Sequence, residues 1–139
     1  MPKMKRSTKR IVLVLGLIAV IVFGGAGVYL ALAWPGPVFS ISIDTSGFAV
    51  TEYHNFTLAF PKSQLAVSLE LSSSPLFFAI TLFNSTDGTI LSYSPPTSPG
   101  TNASAWVNAP PGAYRMRVMW TGELTVRIAV FARGFPFVA

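Results

Sequence analysis

The sequence predicts a single N-terminal transmembrane α-helix followed by an all-β domain built as an antiparallel sandwich. Two observations lead to this prediction. Residues 11–34 form an uninterrupted apolar run without a charged side chain. After Pro37, apolar and polar side chains alternate with a period of two, which is the pattern of half-buried strands.

The apolar run is long enough to span a membrane. It holds 14 Leu, Ile, Val or Phe residues among 24, and these favour insertion by about 4–8 kcal/mol. As a helix it extends about 36 Å, against a hydrocarbon core of about 30 Å. A cleaved secretion signal is the alternative, because Ala31-Leu32-Ala33 fits the small-x-small pattern that precedes cleavage. We expect retention as an anchor, since a signal's apolar core normally has about 7–15 residues.

The charge distribution predicts the orientation of this helix. The net charge of +5 comes entirely from five Lys or Arg residues among the first ten. Such a flank stays cytoplasmic, so we expect a single-pass cell-membrane protein whose remaining domain is extracytoplasmic. The expected organisation is a basic cytoplasmic tail (1–10), a transmembrane helix (11–34), a Pro/Gly linker (35–37) and an extracytoplasmic β-sandwich (38–139). Bases and acids balance after residue 10, which argues against nucleic acid as a partner.

Small side chains make part of the predicted helix a candidate for helix–helix contact. Gly27 and Ala31 form a small-xxx-small pair, a spacing that lets two membrane helices approach closely. Gly24 lies on the same side, three residues before Gly27. We therefore take Gly24, Gly27 and Ala31 as candidate partner contacts. The alternative is that these glycines reflect the general abundance of glycine in membrane helices.

Short strands separated by turns are expected in the rest of the chain. Turn-forming residues include Thr45-Ser46-Gly47 and Pro110-Pro111-Gly112, the second of which fits a type II turn. This arrangement is typical of a two-sheet sandwich, jelly-roll or immunoglobulin-like in kind. The expected strands lie near 38–43, 47–52, 54–60, 65–71, 76–83, 88–93, 102–107, 113–120 and 124–132.

The last two strands are predicted to form a hairpin around Thr121-Gly122-Glu123. Pairing Val118 with Val126 keeps the apolar side chains of both strands on one face. The same register sets Arg117 opposite Arg127 on the outer face, which is a destabilising pair of like charges.

This region also carries a resemblance to a known family. The run Ala109-Pro110-Pro111-Gly112-Ala113-Tyr114-Arg115-Met116-Arg117-Val118, continued by Trp120-Thr121-Gly122-Glu123-Leu124-Thr125-Val126, resembles the final hairpin of pre-peptidase C-terminal-type jelly-roll domains. The match covers about 25 of 139 residues, and the usual acidic residues of that family are missing from it. The resemblance implies an exported, non-catalytic accessory domain and implies no particular ligand.

Residue patterns that support catalysis or metal binding are scarce. The chain has one histidine, His54, and no cysteine. Glu52 and His54 would share a face of a strand, but the spacing supplies no third and fourth ligand for a metal. A structural His54 is the main interpretation, with metal and general-base roles as minor alternatives. We expect no enzyme, no cofactor, no metal and no small-molecule substrate.

Three asparagines are candidate glycosylation sites. Asn55, Asn84 and Asn102 each begin an Asn-x-Ser/Thr acceptor, and of the four asparagines in the chain Asn108 alone does not. A surface rich in serine and threonine would produce the same pattern without modification.

Two further groups of residues are candidate partner contacts. Arg115, Arg117 and Arg127 form either a solvated face or a patch for an anionic partner. Phe135 and Phe137 are aromatic groups near the end of the chain that would pack on the domain, on lipid or on a neighbouring subunit.

The leading functional hypothesis is a non-catalytic, membrane-anchored accessory or structural subunit. It would act by protein–protein contact in a membrane complex or cell-surface assembly, with membrane lipid and other protein subunits as partners. The alternatives are a filament subunit and an extracytoplasmic module that binds glycan or peptide through exposed aromatic side chains such as Tyr53, Tyr93 or Trp106.

Overall fold

A computed structural model describes residues 6–135 of the chain. Residues 1–5 of the predicted tail and the candidate contact Phe137 lie outside the described residues. The chain divides into two compact units, one up to Leu32 and the other from Ala33 onward.

The first unit is a single helix, α1 (Arg6–Ala33). Its apolar part runs from Thr8 to Ala33, 26 residues, or about 39 Å at 1.5 Å per residue. None of its most apolar window is buried. The length and composition suit a membrane span, and a secretion signal near an N-terminus has the same properties.

The second unit is the expected antiparallel β-domain. It begins at Gly36, inside the stretch predicted as a linker. Two of its strands are far longer than the sequence suggested, and the others are short. The strands are β1 (Gly36–Leu58), β2 (Lys62–Leu71), β3 (Phe77–Phe83), β4 (Thr89–Tyr93), β5 (Gly100–Ala103), β6 (Val107–Asn108) and β7 (Gly112–Gly134).

The two long strands, β1 and β7, pair with each other along their whole length, from Gly36 opposite Ala132 to Leu58 opposite Gly112. The first half of β7 also pairs with β3, and its second half pairs with β2. The front sheet therefore has the order β1, β7, β3, β4 and uses residues 50–58 of β1. The back sheet has the order β1, β7, β2, β5, with β6 also on β2, and uses residues 36–47 of β1.

Ring contacts within β1 show that the two sheets face each other. The ring of Phe39 lies 5.7 Å from that of Phe56 and 5.9 Å from that of His54. A fully extended strand would hold Phe39 and Phe56 about 55 Å apart. β1 must therefore fold back on itself, and β7, which is paired to it throughout, folds back with it. The result is a sandwich whose outer faces point in opposite directions.

Both long strands bend where a residue has a positive φ angle. In β1 the register shifts between Gly47 and Val50, and Ala49 has φ 52°. In β7 the bend is at Gly122, with φ 103°. A Cβ atom at Gly122 would lie 3.1 Å from the backbone N of Leu76, so glycine permits both the angle and the close approach.

The predicted hairpin around Thr121-Gly122-Glu123 is wrong, because Gly112–Gly134 is one continuous strand. Val118 lies opposite Ile80 of β3, and Val126 lies opposite Leu71 of β2. Every second side chain of β7 faces the core, and this alternation continues unchanged across Gly122. A bent strand therefore buries the same side chains as a hairpin would. For the same reason, the three strands predicted within 38–60 are the single strand β1.

The apolar core lies between the two sheets. Trp120 is fully buried at the end of the front sheet, directly opposite Val50 of β1 and Phe78 of β3. Its position just before the bend of β7 places it where the two sheets meet. Other large side chains that are fully buried among the described residues include Phe78, Leu58, Leu65, Leu69, Ile80, Leu82, Met116, Leu124, Ile128, Val67 and Val118.

Candidate functional site

An open cleft of about 510 Å³ lies on the outer side of the front sheet, lined by β1, the start of β7 and the turn after β3. Its polar lining comes from Asn55, Thr57, Asn84, Ser85, Asp87 and Arg115. Alternation along the strands explains this lining. Phe56 and Tyr114 point into the core, so their neighbours Asn55 and Arg115 point outward.

Arg115 is the central side chain of this cleft. Its Nη2 donates to Oδ1 of Asp87, and its Cζ lies 5.4 Å from the centre of the Tyr53 ring. Both Arg115 and Tyr53 remain accessible, with 40% of the Arg115 side chain and 54% of Tyr53 exposed. A smaller cleft of about 170 Å³ joins Tyr53, Phe83, Asp87 and Arg115. The two clefts share Asp87 and Arg115, and together they combine an accessible cation, a carboxylate and an aromatic ring. We refer to the two together as the cleft around Arg115.

A closed turn holds Asp87 beside Arg115. Oδ1 of Asn84 accepts hydrogen bonds from N and Oγ1 of Thr86, at 3.0 and 2.9 Å, and from N of Gly88 at 2.8 Å. Asparagine commonly forms such turns with its own backbone. Asp87 itself has φ 59°. These contacts fix the turn over the end of β3, so the ion pair is positioned by the fold and does not depend on a ligand.

Packing behind the cleft supports its floor. The rings of Phe56 and Tyr114 stack with centroids 5.7 Å apart. The hydroxyl of Tyr114 donates to the carbonyl O of Pro110, and burial raises the pKa of Tyr114 above its usual 10.0. Tyr114 is therefore a structural side chain that ties the start of β7 to the preceding turn.

The three predicted arginines do not form one patch. Arg117 lies on the same face as Arg115 but packs on the sheet, with its Cζ 5.1 Å from the Phe83 ring and its Nη2 3.4 Å from Oγ1 of the buried Thr81. Arg127 lies beyond the bend of β7, between Ser42 and Glu70 on the back sheet. The predicted pairing of Arg117 with Arg127 is therefore wrong, since it depended on the hairpin. Glu70 of β2 is a cross-strand neighbour of Arg127.

The aromatic residues proposed for ligand binding differ in their surroundings. Tyr53 lies at the cleft. Trp106 is covered by Arg133, whose Cζ lies 4.3 Å from the ring and whose Nε donates to Oε1 of the buried Gln64 at 2.7 Å. Tyr93 lies opposite Ile80 and packs against the core. Of these three, Tyr53 is best placed to meet a ligand.

Two of the glycosylation candidates lie at the cleft itself. Asn55 and Asn84 are part of its lining, whereas Asn102 lies on β5 opposite Leu69 of β2. A glycan on Asn55 or Asn84 would fill the cleft, so modification there and ligand binding exclude each other. Modification of all three remains a prediction.

His54 and Glu52 share a face of β1, as expected, with Nε2 of His54 3.4 Å from Oε2 of Glu52. Both line a separate open cleft with Asp44, between the two halves of β1. Within residues 6–135, no group of three or more His, Cys, Asp or Glu side chains is arranged to hold a metal ion.

The candidate contacts in α1 and after β7 remain predictions. Gly24, Gly27 and Ala31 are spaced by three and four residues along α1, so they lie on one side of the helix. A Cβ atom at Gly24 or Gly27 would have nothing within 4 Å. Phe135 follows β7 directly and is exposed.

Comparison with known proteins identifies the fold. No protein-family model matches this chain, and no curated protein matches its sequence. The pre-peptidase C-terminal domain of a collagenase from Bacillus anthracis has a similar structure, with a TM-score of 0.54 and 20% identity over 68% of this chain and 90% of that one. A carbohydrate-binding module of the lichenase 5A from Cellvibrio mixtus, solved with cellotriose, has a TM-score of 0.43 and 9% identity over 68% and 88% of the two chains.

The structural match confirms the resemblance inferred from the sequence. The β-domain has the fold of the collagenase's pre-peptidase C-terminal domain, although the residues that suggested it form a bent strand here and not a hairpin. Sequence reasoning missed Asp87 and Phe83 as cleft residues. The turn-forming run Asn84-Ser85-Thr86-Asp87-Gly88 was the available signal, but the sequence could not show which strand it would face.

Proposed function

We propose that this chain is a non-catalytic accessory subunit, anchored in the cell membrane by α1, that binds a protein partner through the cleft around Arg115. The observation that carries this proposal is the exposed group of Tyr53, Asp87 and Arg115 on a domain attached to a helix of membrane-spanning length. Its N-terminus is cytoplasmic and the sandwich is extracytoplasmic, in accord with the basic flank. The anchor restricts encounters with a partner to the plane of the membrane.

The chemistry of the cleft suits a protein surface. Tyrosine and arginine are, with tryptophan, enriched at the energetic hot spots of interfaces. Asp87 balances the charge of Arg115, so the cleft offers both a donor group and an acceptor group. A partner loop with a carboxylate or a backbone carbonyl would find a donor in Arg115 and an aromatic surface in Tyr53.

The position of the cleft favours a partner close to the membrane. Arg115 is three residues from Gly112, or about 10 Å along the strand. Gly112 pairs with Leu58, and both lie at the end of the sandwich opposite the bends of β1 and β7. This is also the end at which β1 begins, just after α1. An extramembrane loop of a neighbouring membrane protein is therefore the partner that this placement fits.

A glycan ligand is the second candidate, and the exposed ring of Tyr53 beside Asn55 and Asp87 favours it. A sugar ring can stack on an aromatic side chain while amide and carboxylate groups bind its hydroxyls. The sandwich has the fold of the pre-peptidase C-terminal domain of a collagenase. This fold is compatible with either function, because an accessory domain can bind a protein or a glycan.

Substitution of Arg115 is expected to reduce partner capture by about tenfold, which corresponds to a loss of about 1.4 kcal/mol at a hot spot. A photo-crosslinker attached at Ser85→Cys, in intact membranes, would report the partner by mass spectrometry. Arg115→Ala and Tyr53→Ala should both reduce the yield. Arg127→Ala is the matched control, because it removes the same charge from the same strand on the opposite outer face.

Two results would contradict the proposed protein contact. One is an equal loss of capture in Arg115→Ala and Arg127→Ala, which would mean that the cleft has no special role. The other is the absence of protein crosslinks together with glycan binding by the detergent-purified chain that Tyr53→Ala abolishes. The second result would establish the glycan-binding alternative.

A further inference from the structure

Three exposed aromatic side chains lie at one end of the sandwich. Trp34, Phe60 and Phe135 are 63%, 76% and 65% exposed. Each belongs to a different segment: Trp34 precedes β1, Phe60 lies between β1 and β2, and Phe135 follows β7. We call these three residues the aromatic collar.

Strand register brings these segments together. Gly36 at the start of β1 pairs with Ala132, and Lys62 at the start of β2 pairs with Gly134. Nζ of Lys62 donates to the carbonyl O of Trp34 and, at 3.3 Å, to that of Ala132. The beginning of β1, the beginning of β2 and the end of β7 are therefore neighbours, and their aromatic residues share one end of the domain.

The position of α1 in the chain indicates which surface this end of the sandwich contacts. Trp34 directly follows Ala33, the last residue of α1. If α1 spans a bilayer, Trp34 emerges at the boundary between hydrocarbon and headgroups, the depth that tryptophan prefers. Exposed phenylalanine at the same end would otherwise remain in water, whereas apolar side chains favour the acyl boundary when a surface lies against it.

We propose that the aromatic collar inserts into the interfacial layer of the bilayer on the side where α1 ends, and so holds this end of the sandwich against the membrane. The proposal rests on the membrane anchoring of the proposed function. It adds a second attachment, formed by the folded domain, to the single helix. With the collar inserted, the cleft around Arg115 would be held close to the headgroups, where the loops of a membrane-embedded partner lie.

Spin labelling of the full-length chain in lipid vesicles tests this contact. The chain has no cysteine, so each introduced cysteine carries the only label. Labels go at Phe60→Cys, at Phe135→Cys, at Ile18→Cys in the middle of α1, and at Phe48→Cys as the control. Phe48 is 87% exposed and lies at the bend of β1, the opposite end of the sandwich. The measurement is the accessibility of each label to oxygen, which concentrates in lipid, relative to a water-soluble nickel chelate.

The ratio of oxygen to nickel accessibility is expected to be several-fold higher at positions 60 and 135 than at 48, and highest at 18. A lipid-like ratio at position 18 with water-like ratios at 60 and 135 would contradict insertion of the aromatic collar, but would agree with anchoring by α1. Water-like values at all four positions overturn the anchor as well. Protection of 60 and 135 from both reagents would mean that protein, and not lipid, covers the collar, which also overturns the proposal.

Discussion

Trp120→Ala is expected to lower the free energy of unfolding of the sandwich by about 3–5 kcal/mol, the usual cost of removing a buried tryptophan. Trp120 is fully buried and lies between Val50 and Phe78, where both long strands bend from one sheet to the other. A domain is typically stable by about 5–15 kcal/mol, so this one change removes a large share. Urea unfolding of the full chain in mild detergent, followed by circular dichroism of the β-sheet, measures the loss.

Trp120→Phe is the matched control, and we expect less than half of that loss. Nε1 of Trp120 has no hydrogen-bond partner among the described residues, so phenylalanine gives up volume without breaking a bond within the described structure. A Trp120→Ala variant within about 0.5 kcal/mol of the unsubstituted chain, the range of ordinary surface changes, would contradict the placement of Trp120 in the core.

Paired arginines in the middle of α1 are expected to abolish membrane insertion. Ile18→Arg combined with Ile21→Arg replaces two favourable residues by two charged ones, a change of about 6–8 kcal/mol on the insertion scale. This matches the whole favourable sum of about 4–8 kcal/mol for the helix. The measurement is the fraction of the protein that resists extraction by alkaline carbonate.

The control for the arginine variant is Ile18→Leu combined with Ile21→Leu, which keeps the segment apolar. The control should remain in the carbonate-resistant pellet, while the arginine variant should be lost from it. Retention of the arginine variant in the pellet would show that something other than the apolar helix holds the chain to the membrane.

The fold class could be predicted from the sequence because apolar and polar residues alternate along strands that are buried on one face. Alternation along 113–120 and 124–132 correctly identified the side chains that face the core. The connections could not be predicted, because Thr45-Ser46-Gly47 and Thr121-Gly122-Glu123 are turn-forming residues that suit a sharp bend within a strand as well as a hairpin. Only long-range pairing, such as that of Gly47 with Gly122, decides between the two.

The candidate site was only partly predictable for the same reason. The sequence predicts Arg115 and Tyr53 to be surface residues able to bind a partner. Their proximity depends on the pairing of β1 with β7, and the approach of Asp87 depends on the pairing of β3 with β7. The predicted grouping of Arg127 with Arg115 and Arg117 is wrong, because it depended on the predicted hairpin. Residue types therefore predict which side chains can bind a partner. Which of these side chains lie together depends on the pairing of the strands, which the sequence does not show.

The most direct test of a membrane anchor with an external sandwich is thiol labelling of intact cells with a membrane-impermeant maleimide. Ser85→Cys places the only thiol on the turn at the cleft, and Ser7→Cys places it just before the apolar span. We expect Ser85→Cys to react in intact cells, on a membrane-bound polypeptide that still contains α1, and Ser7→Cys to react only after the membrane is disrupted. Labelling of Ser7→Cys but not Ser85→Cys in intact cells, or recovery of the sandwich from the medium with Trp34 as its first residue, would contradict the proposed anchor and its orientation.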